Sequence, residues 1–254
     1  MKRFKEKTVI VTGAGSDIGR ATAIRFAQEG ANVVLVGRTT ETLKEAVKKF
    51  PQDHTWIHTD NYLTIACDVS VPSQVPEMIK AVVDKFERID VLVNNAGKAT
   101  QDDFMQLSAE EWQPAIDGNL HNMLHLCQAV LPYLIQAEGN IINVSALSSI
   151  NSDWNMATYE AGVRNLTRTL AADNRHNGVR INAVNPSVIE DHPAETEKSL
   201  IRSALSRPAT SQNIAAAITF LASDDAAMIT GVNLPVDGGV SAIDGFPSGG
   251  LTSS

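Results

Sequence analysis

Residues 8–20 read TVIVTGAGSDIGR, and the reading of this stretch decides the fold. Thr8, Val9, Ile10, Val11 and Thr12 form a β-branched run with no alternation of polar and apolar positions. A strand of that kind suits a parallel sheet covered by helices on both faces. Gly13 and Gly15 follow, and a helical pattern then runs from Asp17 to Glu29. Glycines at such a strand-to-helix turn let the backbone approach a pyrophosphate, and the helix N-terminus offers free N–H groups and a favourable dipole. Glycines also serve tight turns, so the turn taken alone is a weak sign of a ligand.

Working outward, the same alternation of strand and helix continues to the C-terminus. ANVVLVG (31–37), LTIACDV (63–69), IDVLVNNAG (89–97), NIINVSA (140–146), VRINAVNP (179–186) and GVNLPVD (231–237) supply six more strands, making about seven with TVIVTG (8–13). This pattern predicts an α/β fold, a doubly wound parallel sheet with helices on both faces and ligands at the carboxyl ends of its strands. No repeat or linker divides residues 1–254, so a single domain is expected, with a rather long loop at 51–62 and a mobile tail at about 246–254. The hydrophobic content of 43% supports a sizeable core, and the net charge of −8 argues against nucleic acid, whose phosphates would repel it. The longest apolar runs are strand-sized, so no membrane span is expected, and MKRFKEKTVIV lacks the apolar region of a signal peptide. Cys67 and Cys127 have no metal-ligand spacing and point to a reduced, cytoplasmic setting with no metal.

The segment Thr12–Arg20 resembles the short-chain dehydrogenase/reductase family, whose fingerprint is TGxxxGxG. The resemblance continues through Asp68-Val69, Asn94-Asn95-Ala96-Gly97, Asn119, NIINVSA, Pro186 and the closing Val236-Asp237-Gly238-Gly239, and so covers nearly the whole chain. It implies a Rossmann-type fold with Gly13, Gly15, Ser16, Asp17, Ile18 and Gly19 around the dinucleotide pyrophosphate. Asp68 and Val69 would border the adenine, Asn95, Ala96 and Gly97 the adenosine ribose, and Pro186 and Val188 the far end of the cofactor. Asp17 replaces the family's middle glycine; a carboxylate there would repel a pyrophosphate, but Asp is also a good helix cap, and the capping role is favoured. Where NAD-preferring relatives carry an acid at the end of the second strand, this chain has Gly37, then Arg38 and Thr39. Loss of the carboxylate and gain of a guanidinium suit a 2′-phosphate, so NADP(H) is expected over NAD(H).

In this family an Asn, a Ser, a Tyr and a Lys cooperate to move a proton as hydride is transferred. The register follows from Ala161-Gly162-Val163, which leads without a gap to the strand ending at Pro186. The Lys position is then Glu160, the Tyr position Met156 and the Ser position Ala146, beside Ser145; Asn119 alone is retained. Tyr159, Ser145 and Glu160 remain as substitute candidates. Tyr159 points about 60° away from Met156 on a regular helix, and its ring is expected to pack at a helix interface. Ser145 would need a bulge to face inward. His121 and His125 are read as ordinary helix residues.

The expected function is an NADP(H)-binding oxidoreductase acting on a small carbonyl, imine or conjugated substrate with an altered proton donor. The substrate would lie between Lys98–Phe104, Ala146–Trp154 and a lid at about 187–205. One alternative is a catalytically silent subunit supporting an active partner in a hetero-oligomer. Another is a cofactor-responsive binding protein or a non-redox enzyme. A homo-oligomer, dimer or tetramer, is expected through the helices near 102–137 and 152–176.

Overall fold

The computed structural model describes residues 2–15, 17–51, 58–97, 117–145, 154–186, 189 and 204–243, with 117–118 and 154–157 described as backbone alone. Seven strands appear among them: β1 (Thr8–Thr12), β2 (Asn32–Gly37), β3 (Tyr62–Ala66), β4 (Val91–Asn94), β5 (Asn140–Val144), β6 (Arg180–Pro186) and β7 (Asn233–Val236). They form one sheet in the order β3-β2-β1-β4-β5-β6-β7, and every pairing is parallel. The helices are α1 (Asp17–Gln28), α2 (Thr40–Lys48), α3 (Val75–Phe86), α4 (Asn122–Ala137), α5 (Trp154–Asp173), α6 (Ser211–Ala222) and the short α7 (Val240–Ile243).

Side chains alternate across a strand, so each apolar run feeds two cores at once. Val9, Val11, Val33, Leu35, Val93, Ile142 and Val144 pack with Phe26 of α1 and Ile214, Ile218 and Leu221 of α6. Ile10, Val34, Val36, Leu92, Ile141 and Ile181 face the other way, against Met78 and Val82 of α3, Leu126 and Val130 of α4 and Val163 of α5. This double covering explains why the central strands carry no polar alternation.

The chain runs outward through β1, β2 and β3, then returns to place β4 on the other side of β1. The connections diverge there, opening a crevice at the carboxyl ends of β1 and β4. At the opposite edge the N-terminal segment is pinned to the end of α1. Arg3 Nε and Nη2 donate to the two Glu29 carboxylate oxygens at 2.6 and 3.0 Å, and Arg25 Nε adds a bond of 2.6 Å. Nearby, the Arg180 guanidinium donates to the carbonyls of Leu221 and Ser223 at 2.7 and 3.1 Å, which ties β6 to the last turn of α6.

Burial pushes the Glu29 carboxyl up, but the guanidiniums of Arg3 and Arg25 outweigh it and hold the group below its ordinary value of 4.5. A carboxyl with a depressed folded-state pKa stabilises fully above the unfolded value, and that contribution fades as pH falls through the folded value. Glu29→Gln is therefore expected to lower the unfolding free energy by about 2 kcal/mol at neutral pH. Urea titrations should show the gap from wild type closing as the medium is acidified below the ordinary carboxylate range.

Candidate functional site

The crevice is built from the turns after β1 and β4, and hydrogen bonds lock one to the other. Thr12 Oγ1 accepts from the backbone N–H groups of Asn95 and Ala96, both at 2.9 Å, and donates to Val93 O at 3.3 Å. Asn95 Nδ2 returns a bond of 3.0 Å to Thr12 O. Two further residues join β4 to its neighbours from within: Asn94 Nδ2 donates to Asn143 Oδ1 at 2.9 Å, and Asn143 Nδ2 to Thr167 Oγ1 of α5 at 3.0 Å.

The glycines of the first turn have distinct reasons to be glycine. Gly13 has φ +65°, and a Cβ there would lie 2.8 Å from Asn95 Nδ2. A Cβ on buried Gly19 would run into the Gly13 carbonyl oxygen, so α1 can start this close to β1 only with glycine at that point. Gly15 packs against α2, where an added Cβ would meet Thr42 Oγ1 at 2.6 Å. Asp17 has φ +47°, in the left-handed region. Glycine enters that region freely, and Asp and Asn are among the few other residues that tolerate it. Backbone conformation thus restricts position 17. Ile18 packs against the α1/α6 core, and Ser16 lies outside the described residues.

At the end of β2, Arg38 and Thr39 are both exposed. Thr39 is the N-cap of α2, but its side chain makes no capping bond; only its carbonyl is used, by the Thr42 hydroxyl at 2.9 Å. Arg38 makes no hydrogen bond or ion pair among the described residues. Beyond β3, Asp68 Oδ1 accepts from the Ser70 N–H and hydroxyl at 3.0 and 2.6 Å, and the adjoining Val69 is buried.

The other end of the crevice gathers residues from four elements. Asn119 is buried within a π-helical turn, Asp117–His121, that leads into α4; such turns are rare and re-aim the side chains they carry. Its Oδ1 lies 2.9 Å from where a Cβ on exposed Gly97 would stand, and the Tyr159 hydroxyl lies 4.0 Å from the same point. On α5, Val163, Thr167 and Ala171 form the buried stripe, spaced by four residues. Tyr159 extends that stripe by one turn, so its ring faces the sheet. Its hydroxyl donates to Val144 O at the end of β5, at 3.0 Å, and burial raises the phenol pKa well above its ordinary value. Glu160, half-buried, accepts from Asn185 Nδ2 of β6 at 3.4 Å, while Asn185 Oδ1 is enclosed with no hydrogen-bond partner among the described residues.

Ser145 is buried, and its N–H donates to Val184 O at 3.0 Å, so the β5–β6 ladder runs past Val144 without a bulge. Pro186 closes β6 opposite Val236. Ala146, Val188, the stretches 98–116 and 146–153, and most of the 187–205 lid lie outside the described residues, as does the Met156 side chain. Ile189 forms an isolated bridge with Ala209. Asp237 shapes the closing turn by accepting from the N–H groups of Gly239 and Ser241 at 2.9 and 2.8 Å. Among the described residues no group of three His, Cys, Asp or Glu is placed to hold a metal, and no helix is long and apolar enough to cross a membrane.

The sequence reading passed over Thr12 and Asn185 as site residues. A threonine ending β1 immediately before Gly13 was a usable signal for the first. The second owes its place to strand register, which leaves no local mark.

A seven-stranded parallel sheet in this order, with a glycine turn at its switch point, defines a Rossmann-type nucleotide-binding fold. A family model described as enoyl-(acyl carrier protein) reductase matches residues 13–241. The chain belongs to the short-chain dehydrogenase/reductase family of oxidoreductases, whose members bind a nicotinamide cofactor. It is 37% identical to a meso-2,3-butanediol dehydrogenase from Serratia marcescens, over 96% of this chain and 98% of the relative. It is 36% identical to a 3-oxoacyl-acyl-carrier-protein reductase from Thermotoga maritima, over 94% of this chain and 99% of the relative. Among solved structures, a short chain dehydrogenase from Bacillus anthracis superimposes with a TM-score of 0.87 at 35% identity, covering 96% of this chain and all of that one.

Since Gly19 abuts backbone rather than a movable side chain, Gly19→Ala is expected to cost about 1–3 kcal/mol of stability. The same change should weaken dinucleotide binding about tenfold or more, read by fluorescence titration beside the melting temperature.

Proposed function

We propose that this protein is an NADP(H)-dependent oxidoreductase of a small carbonyl, imine or conjugated substrate, working without the family's usual proton donor. The observation that carries the cofactor preference is the exposed Arg38 guanidinium, uncommitted among the described residues, beside a Thr39 hydroxyl that α2 does not use. A ribose 2′-phosphate is an anion with several acceptor oxygens, and an arginine answers it with charge-assisted bonds. Gly37 leaves no carboxylate to repel that phosphate. The turn from Gly13 to Gly15 suits a dinucleotide pyrophosphate: its residues are small, and it leads to the first turn of α1. Asp68 Oδ2, which makes no bond among the described residues, is available to an adenine amine.

When bound, the dinucleotide supplies or accepts a hydride; the protein must hold substrate and manage charge. The Tyr159 proton is engaged with Val144 O, and burial makes the phenol a reluctant acid-base group. Glu160 stands where the family has a lysine, and Met156 and Ala146 stand where it has tyrosine and serine. A carboxylate favours positive rather than negative charge nearby, which is the opposite of what an alkoxide product requires. The names of two relatives, a butanediol dehydrogenase and a 3-oxoacyl reductase, describe alcohol and ketone chemistry, which supports a substrate with a reducible C=O group. Two buried, unpaired cysteines accord with a cytoplasmic setting, and the α4 and α5 surfaces offer a route to a homodimer or tetramer.

A second reading, a silent subunit that supports an active partner, is favoured by the commitment of Tyr159 to a backbone carbonyl. A purified protein that forms a stable homo-oligomer and oxidises NADPH with any member of a panel of ketones, enones and imines counts against it. NADPH binding with no oxidation across that panel counts for it.

Arg38→Ala is expected to weaken NADPH binding by about 10- to 100-fold while changing NADH binding less than about threefold, because only the former loses a charge-assisted contact. Equal affinity of the wild type for NADH and NADPH would remove the basis of the preference. Tyr159→Phe should cost about 1 kcal/mol in stability and leave turnover within a few-fold of wild type; abolished turnover in a folded variant would make Tyr159 the proton donor after all.

A further inference from the structure

Arg20, in the first turn of α1, is half-buried, and its side chain reaches back over the glycine turn to donate from Nη1 to the Gly15 carbonyl at 3.4 Å. Its Nε and Nη2 make no bond among the described residues. Asp17, three residues earlier on the same helix, is at the spacing of an ordinary ion pair, yet the two do not pair, and Glu41 in the first turn of α2 does not pair with Arg20 either. A charge taken partly out of water is ordinarily matched by an anion. The three glycines of the turn face different neighbours. A Cβ on Gly13 or Gly19 would meet Asn95 of the β4 turn, whereas one on Gly15 would lie 2.6 Å from Thr42 Oγ1 of α2. That hydroxyl in turn donates to Thr39 O at 2.9 Å, and the next residue back is Arg38, exposed and likewise in no ion pair among the described residues. Two arginines without counter-ions thus belong to the one corner where the β1–α1 and β2–α2 turns touch.

Resting on the reading that the chain prefers NADP(H), the geometry points to Arg20 as a second residue that selects the dinucleotide by its 2′-phosphate, from the α1 side of the corner that Arg38 borders from β2. A phosphate monoester carries close to two negative charges at neutral pH and has three acceptor oxygens, more than one guanidinium satisfies. The Nε and Nη2 edge of Arg20 is a planar fork of donors suited to two of those oxygens, and none of its N–H groups is spent among the described residues. The long bond from Nη1 to Gly15 O sets the arm in place without using that fork. Position decides between the two phosphate groups of the cofactor. The pyrophosphate belongs with the α1 N-terminus, where Gly13 and Gly19 meet the β4 turn, while Arg20 touches the turn at Gly15, on its α2 side. NADH offers a neutral hydroxyl in place of the 2′-phosphate and so takes no charge-assisted bond from either arginine.

The test uses the full-length protein and reads binding rather than turnover. NADPH and NADH are titrated by fluorescence, and adenosine 2′,5′-bisphosphate and adenosine 5′-monophosphate by calorimetry. Arg20→Gln should weaken NADPH and the bisphosphate by about tenfold or more, and NADH and the monophosphate by less than about threefold. Arg20→Lys keeps the charge but not the fork, and should fall between wild type and Arg20→Gln for NADPH. The double variant Arg20→Gln/Arg38→Ala should bind NADPH no better than NADH. Melting temperatures of all four proteins separate a lost contact from a lost fold. Equal weakening of NADPH and NADH by Arg20→Gln assigns the guanidinium to the pyrophosphate and overturns this inference. Unchanged affinity for all four ligands overturns it as well. In both cases a wild type that favours NADPH leaves the cofactor reading standing. A wild type that binds no dinucleotide, or binds NADH as tightly as NADPH, overturns both.

Discussion

The lock between Thr12 and Asn95 is the constraint from which the rest of the site follows. One hydroxyl serves two backbone N–H groups of the β4 turn, and one carboxamide returns a bond to the β1 turn. These bonds cross the point where the sheet changes direction, so they fix the width of the crevice between two chain segments more than eighty residues apart. Neutral bonds of this kind are each modest in net energy, but leaving any of these enclosed groups unpaired is costly. The Gly13 and Gly19 requirements are consequences of the same closeness, because a turn held this near its neighbour has no room for a β-carbon.

The far end of the crevice is governed by helix periodicity rather than by hydrogen bonds alone. Val163, Thr167 and Ala171 bury one stripe of α5, and Tyr159 falls on that stripe a turn earlier. A ring there is drawn against the sheet, and its hydroxyl takes the nearest acceptor, the open carbonyl that ends β5. Glu160, one residue on, is rotated toward β6 and meets Asn185 instead. The two neighbouring α5 residues thus meet a β5 carbonyl and a β6 carboxamide.

At the opposite edge the charges are structural. Glu29 is gripped by two arginines, and Arg180 is satisfied largely by carbonyls at the end of α6, where the helix dipole favours a cation. Separation of these two tasks, stability at the amino edge and ligand chemistry at the carboxyl edge, is general to open α/β sheets. It lets the ligand edge carry residues such as left-handed Asp17 and Arg38, the latter with no hydrogen bond or ion pair among the described residues.

The seven strands and the double-sided core were legible in the sequence, since continuous β-branched runs and intervening amphipathic stretches are local patterns with a direct physical cause. The glycine turn was equally plain. Three things were not. The left-handed backbone of Asp17 depends on how closely α1 approaches β1; the engagement of Tyr159 depends on where β5 ends beneath it; and the pairing of Glu160 with Asn185 depends on the register of β6 against β5. Each joins residues distant in the chain through the packing of whole elements, and a spacing rule confined to neighbouring residues carries no record of that contact.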